Sequence, residues 1–254
     1  LFVEEFEFNM SRTPKLMVMN MASRDHPGGG VYDGARAQEE SICRQSNYYP
    51  AIQSMKKHYP LWDDNLENVH CIYTTGVTML FDNVAKRYRK LTPSQRYELN
   101  FIAVAAVNHI DINQKTFTRK SNRKPSKVAH LTTDEWRHLE KTFELCLQVG
   151  ASQKLDCMVL CPIGSGAFQL LTEEVADVLH AVCFQNKANY NGVVILAVFN
   201  DHNAGRVHNP MGNVWHIKKI LLQRDLDSID MWGPENQKEI HAYLEKLEKI
   251  YDNP

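Results

Sequence analysis

The chain has 254 residues, 43% apolar and 23% charged, with 29 basic and 30 acidic side chains for a formal net charge of −1. That length suits one large domain or two small ones, and the composition is that of an ordinary globular protein. The near-neutral balance gives no whole-molecule pull toward nucleic acid or an anionic bilayer, and no apolar run approaches the length of a membrane span. No signal peptide is visible, although residue 1 is Leu and a removed leader stays open.

In chain order, "KLMVMNM" (15–21) reads as the first buried strand, and "ASRDHPGGG" as the loop leaving it. "ARAQEESICRQS" then has helical propensity. "VHCIYT" (69–74), "NFIAVAAV" (100–107), "LDCMVLCPI" (155–163) and "GVVILAVF" (192–199) read as further buried strands. Between them, 133–149 carries the helical stripe Trp136, Leu139, Phe143 and Leu147, and 172–185 repeats it with Val175, Val178, Leu179 and Val182. A last helix opens at Pro234–Glu235 and turns Ile240, Tyr243, Leu244 and Leu247 to one side. This alternation argues for an α/β layered sheet with helices on both faces. With no internal repeat and no Gly/Ser linker, a single domain over 1–254 is expected, with its core at about 15–200 and an extension over 201–254.

Two segments fit no compact core. Residues 111–130 hold Lys115, Arg119, Lys120, Arg123, Lys124 and Lys127 against one acid, Asp111. Either this is a solvated loop or it attracts a polyanion beside a site. Residues 200–213 form a polar loop in which Asp201, His202 and His208 fall together without metal-ligand spacing; no metal and no cofactor is expected. The six cysteines, 43, 71, 146, 157, 161 and 183, contain no C-x-x-C pair. A large core needs no disulfides, so reduced thiols in a cytoplasmic or cytosol-like compartment are expected, with export as a secreted effector left open.

The chemistry concentrates in "HPGGGVYDGARAQEES" (26–41). Consecutive glycines allow positive φ and remove Cβ atoms, so backbone N–H groups can converge on a bulky anion, and the following helix N-terminus adds a favourable dipole. "VLCPIGSGAFQ" (159–169) is a second strand running into a glycine turn, closed by Phe168. Ligands of open α/β sheets sit beyond the carboxyl ends of strands, so two such loops suit one diphosphate. The plain alternatives are two tight turns and, for "QEE", a solvated acidic first turn. No lysine follows in P-loop spacing and no G-x-G-x-x-G is present, which disfavours nucleotide hydrolysis and dinucleotide chemistry.

The stretch "MNMASRDHPGGGVYDGARAQEES" resembles the signature of the bacterial-type poly(ADP-ribose) glycohydrolases, a macrodomain-related family marked by GGG, a spacer and QEE. Here the spacer is Val31 to Ala37. "AVAAVNHI" (103–110) and "CPIGSGAFQ" (161–169) are similar to the family's later strand and second phosphate loop. The resemblance covers roughly 15–200. It implies a macrodomain-like three-layer α/β/α fold with a mixed central sheet, here with a C-terminal helical extension.

By that resemblance, Gly28, Gly29 and Gly30 with the Val31 amide would hold one side of an ADP-ribose diphosphate. Gly164, Ser165, Gly166 and Ala167 would hold the other, and Phe168 would pack on the distal ribose. Glu40 matches the family's catalytic acid and Glu39 the residue that grips the neighbouring ribose hydroxyls. Ser23 falls where many macrodomains carry a ribose-binding Asn. Asn20, Gln38 and Asn108 are candidates for the ligand rim. The implied activity is cleavage of the ribose–ribose O-glycosidic bond of poly(ADP-ribose), through an oxocarbenium-like state and an alkoxide that must be protonated as it leaves. A buried glutamic acid beside a like-charged neighbour suits that task. The alternatives are hydrolysis of mono-ADP-ribose from a protein side chain such as arginine, and a non-catalytic ADP-ribose-binding macrodomain. The implied partner is ADP-ribose or an ADP-ribosylated protein or polymer, met by a monomer, with no membrane and no specific nucleic acid involved.

Overall fold

A computed structural model describes residues 14–109, 129–200 and 211–229, with side chains to residue 221. The basic stretch (all but its last two residues), the polar loop with Asp201, His202 and His208, and the helix expected from Pro234 lie outside the described residues. Five strands form one mixed sheet in the order β2-β3-β1-β4-β5: β1 (Leu16–Met21), β2 (Ile72–Met79), β3 (Tyr97–Val104), β4 (Cys157–Leu160) and β5 (Val193–Leu196). β3, β1, β4 and β5 run parallel, and β2 closes one edge antiparallel to β3.

Side chains alternate across the sheet, and each face has its own helices. Met17, Met19, Ile102, Val104, Met158 and Leu160 face one layer. There they meet Leu139, Phe143 and Leu147 of α3 (Thr133–Ser152) and Val175, Val178 and Leu179 of α4 (Thr172–Gln185). Phe101 and Ala103 face the other layer, against Ile42 and Cys43 of α1 (Gln38–Gln45) and Tyr48 and Ile52 of α2 (Tyr48–Ser54). The expected α/β/α layering and mixed sheet are thus observed. α5 (Asn213–Ile229) packs on α4 within the expected C-terminal helical extension, at a position the sequence pattern does not mark; α2 was not foreseen.

The periodic stripes located α3 and α4 well, because each buries a full face; a Thr132–Glu135 capping box fixes where α3 begins. Strand ends moved where burial and pairing part company. β2 runs from Ile72 to Met79 rather than 69–74, since beyond an irregularity between Thr74 and Val77, where Thr75 and Gly76 are exposed, it resumes pairing and returns Val77 and Met79 to the core. β3 ends at Val104, although Ala105, Ala106 and Val107 are still buried as they leave the sheet. Among the described residues no helix is long and apolar enough to cross a membrane.

Candidate active site

The topology dictates where a ligand can enter. β1 delivers the chain to α1 on one face, whereas its neighbours β3 and β4 deliver it to α3 and α4 on the other. The crevice of an open α/β sheet forms at such a switch, beyond the strands' carboxyl ends. Three segments leave there: 22–37 after β1, 105–109 after β3 and 161–171 after β4. The last two are joined by the His109 amide, which donates to the Phe168 carbonyl (2.9 Å).

The β1–β4 pairing covers only Leu16, Met17 and Val18. Beyond it, the side-chain amide of Gln38 takes over the ladder. Its Nε2 donates to the Met19 carbonyl and its Oε1 accepts from the Met21 amide, both at 2.7 Å. Gln38 is therefore pinned to the central strand, and α1 starts with its first turn against the sheet.

That places Glu39 and Glu40 inside the protein, at 2% and 6% exposure, so the reading of QEE as a solvated acidic turn falls. Glu39 accepts from the Ser23 amide at Oε2 (2.7 Å), and from the Gly28 amide (3.0 Å) and Asn20 Nδ2 (3.4 Å) at Oε1. Burial pushes its carboxyl from 4.5 up to about 7, against those donors, which pull it down. Glu40 accepts from the Gly30 amide at Oε1 (2.9 Å), while its Oε2 is buried with no protein partner. A side chain at Gly29, whose φ is +55°, would collide with that same Oε1, so the loop can wrap the carboxylates only as glycine. In this structure the converging amides of Gly28 and Gly30 therefore serve the chain's own carboxylates, a use for the glycines that the sequence reading did not foresee. The Gly29 amide turns back to the His26 carbonyl (2.8 Å).

Asn20 is fully buried and also donates to the Tyr48 hydroxyl (3.2 Å). The Ser23 hydroxyl accepts from the His26 amide (3.2 Å). Arg44 reaches back from α1 to the carbonyls of Val31 (2.9 Å) and Ala35 (2.6 Å), fastening the loop from below. Cys43 lies behind the glutamates; burial first, then the two carboxylates, push its thiol up to about 12, so it stays a packed, protonated group.

In the second loop Gly164 has φ +85° and its Cα abuts Leu170 and Ala106, where a Cβ would not fit. Ser165 is fully buried and its hydroxyl has no protein partner. Gly166 and Phe168 are half-buried, Phe168 against the α3/α4 core, and Ala167 is exposed. Asn108 is exposed on the segment after β3.

His109, which the sequence reading passed over, is buried and bonds Glu135 Oε1 through Nε2 (3.0 Å), while its Nδ1 has no protein partner. Its partner lies 26 residues on, so no local pattern announces it. Buried polar atoms are almost always hydrogen-bonded, and clustered exceptions ask for an explanation. Asn20 Oδ1 near the end of β1, Glu40 Oε2 in the first turn of α1, and Ser165 Oγ and His109 Nδ1 in the segments after β4 and β3 are four of the eight such atoms among the described residues.

Fold and site together define a class: a macrodomain-like α/β/α protein with two carboxylates at the switch point of its sheet. Residues 4–82 match the family model described as microbial-type PARG, catalytic domain, which bears out the resemblance to that family over this part of the chain. The fold resembles that of the poly(ADP-ribose) glycohydrolase of Deinococcus radiodurans, solved in complex with ADP-ribose. The TM-score is 0.62 at 23% identity, over 83% of this chain and 76% of that one. It also resembles the poly(ADP-ribose) glycohydrolase of Thermomonospora curvata bound to the inhibitor ADP-HPD. There the TM-score is 0.57 at 22% identity, over 83% and 70% of the two chains. No curated protein sequence matches.

Proposed function

We propose that this protein is a poly(ADP-ribose) glycohydrolase in which Glu40 is the proton donor. The observation that carries the reading is the asymmetry of the paired carboxylates. Both oxygens of Glu39 are held by protein donors, whereas Glu40 is fixed at Oε1 and keeps a buried, unpartnered Oε2. A group that must give and then take a proton needs one oxygen uncommitted and the other anchored, and Glu40 meets both conditions. In its acid form Glu40 protonates the ribose oxygen that leaves, as positive charge builds on the anomeric carbon. As carboxylate it then accepts the proton of the attacking water.

Glu39 positions the loop through the Ser23 and Gly28 amides, and the family resemblance gives it the neighbouring ribose hydroxyls to grip. Gly164, Ser165, Gly166 and Ala167 lie at the end of β4 to receive the diphosphate, with the Ser165 hydroxyl free to donate to it. Acid, water and the ligand's own groups complete the route without a cofactor.

The test is Glu40→Gln assayed on poly(ADP-ribose). The wild type releases ADP-ribose; the variant loses about a hundredfold or more in turnover and binds ADP-ribose within a few-fold of wild type. Surviving turnover removes Glu40 from the mechanism. A wild type that binds ADP-ribose but cleaves nothing makes the protein a reader.

A further inference from the structure

We propose that Tyr32 stacks on the adenine of the ADP-ribose unit that leaves, and so makes the site prefer polymer to a single ADP-ribose. This rests on the glycohydrolase reading above. Tyr32 is the most exposed large apolar side chain among the described residues, at 82%, yet it is not loosely presented. The edge-to-face contact with Tyr49, centroids 5.1 Å apart and rings at 87°, braces its ring. Tyr49 itself belongs to the packed layer of α1 and α2. The backbone on either side is tied down as well. Arg44 holds the carbonyls of Val31 and Ala35, and the Gly30 carbonyl accepts from the amides of Asp33 (3.0 Å) and Ala35 (3.1 Å). An aromatic ring kept in solvent on a pinned loop is a platform with its ordering cost already met.

Its location selects the occupant. The Gly30 amide holds the Glu40 carboxylate, and Tyr32 is two residues further on, a span of at most about 7 Å of chain. In poly(ADP-ribose) the oxygen that Glu40 would protonate belongs to the adenosine ribose of the next unit, so an adenine lies one sugar ring from the bond being cut. Every base has a face for stacking, and a tyrosine two residues along the chain from the amide that holds the acid is within reach of that adenine. A mono-ADP-ribosylated side chain has no base there and gains nothing from Tyr32.

The test compares ADP-ribose with a two-unit ADP-ribose oligomer on the non-cleaving Glu40→Gln background, with and without Tyr32→Ala and Tyr32→Phe. The oligomer should bind more tightly than ADP-ribose. Tyr32→Ala should remove that advantage, a loss of about tenfold, while leaving ADP-ribose affinity within twofold, and Tyr32→Phe should keep it. With Glu40 intact, Tyr32→Ala should raise KM for polymer by a similar factor with kcat little changed. An oligomer advantage that survives Tyr32→Ala overturns the proposal, as does an oligomer that binds no better than ADP-ribose. Equal loss for both ligands also overturns it, because Tyr32 then touches the unit already held. If the oligomer advantage depends on Tyr32 but the wild type cleaves no polymer, the stacking role stands and the catalytic reading fails.

Discussion

Adjacent in the chain, Glu39 and Glu40 leave the first turn of α1 about 100° apart, and the protein surrounds them differently. Glu39 is turned toward β1 and the Ser23 and Gly28 amides; Glu40 is turned under Gly30. The raised carboxyl of Glu39 has a consequence for stability. The folded protein holds this proton more tightly than the unfolded chain, so the contribution is complete below pH about 4.5. It is lost as pH rises through about 7, a change on the order of 3 kcal/mol. Denaturation midpoints of wild type minus Glu39→Gln, taken from pH 4.5 to 8, should fall along that curve; the subtraction removes contributions the two proteins share. A flat or rising difference would show that Glu39 is ionised in the fold throughout. The identity of the two acids was legible in the sequence, but their division of labour was not. It depends on which amides reach which oxygen, and those amides belong to a loop that helical geometry does not describe.

At the scale of elements, the junction between β1 and α1 depends on Gln38. β4 stops pairing at Val18, and two backbone groups of the central strand are left to a side chain. Gln38→Ala removes both hydrogen bonds and should cost about 1–3 kcal/mol, read as a lower urea midpoint at unchanged m-value, with activity falling as α1 loses its register. Unchanged stability would mean that water replaces the amide without penalty. The sequence offered Gln38 as a candidate for the ligand rim, and the structure gives it a bidentate structural task. The reason is non-local: no feature of 26–41 reveals that a strand 120 residues later ends early. The same holds for His109 and Glu135, joined across α3's capping turn. α3 and α4 themselves were readable from their stripes, because a two-sided core needs continuous apolar faces.

For the whole molecule, the sheet has β1 at its centre, paired with β3 over Met17 to Met21 and with β4 over Leu16 to Val18, and covered by helices on both faces. Its amides should open only with global unfolding, whereas α5, seated on α4 at the outside, should exchange first. Native-state hydrogen exchange checks this; α5 amides as slow as those of β1 would place that helix in the central cooperative unit. By itself the sequence determined the layers and the chemical vocabulary of the site: apolar runs of strand length, helical stripes, two glycine turns and a pair of carboxylates. These are local patterns, set by the periods of helix and strand and by the φ values that glycine alone reaches freely. Only the tertiary structure decided that the glycine amides grip Glu39 and Glu40, that one oxygen of Glu40 is left uncommitted, and that Tyr32 is braced in solvent against Tyr49. Those facts depend on where separate strands end and on which side of the sheet each hands its chain, distances that no single stretch of sequence contains.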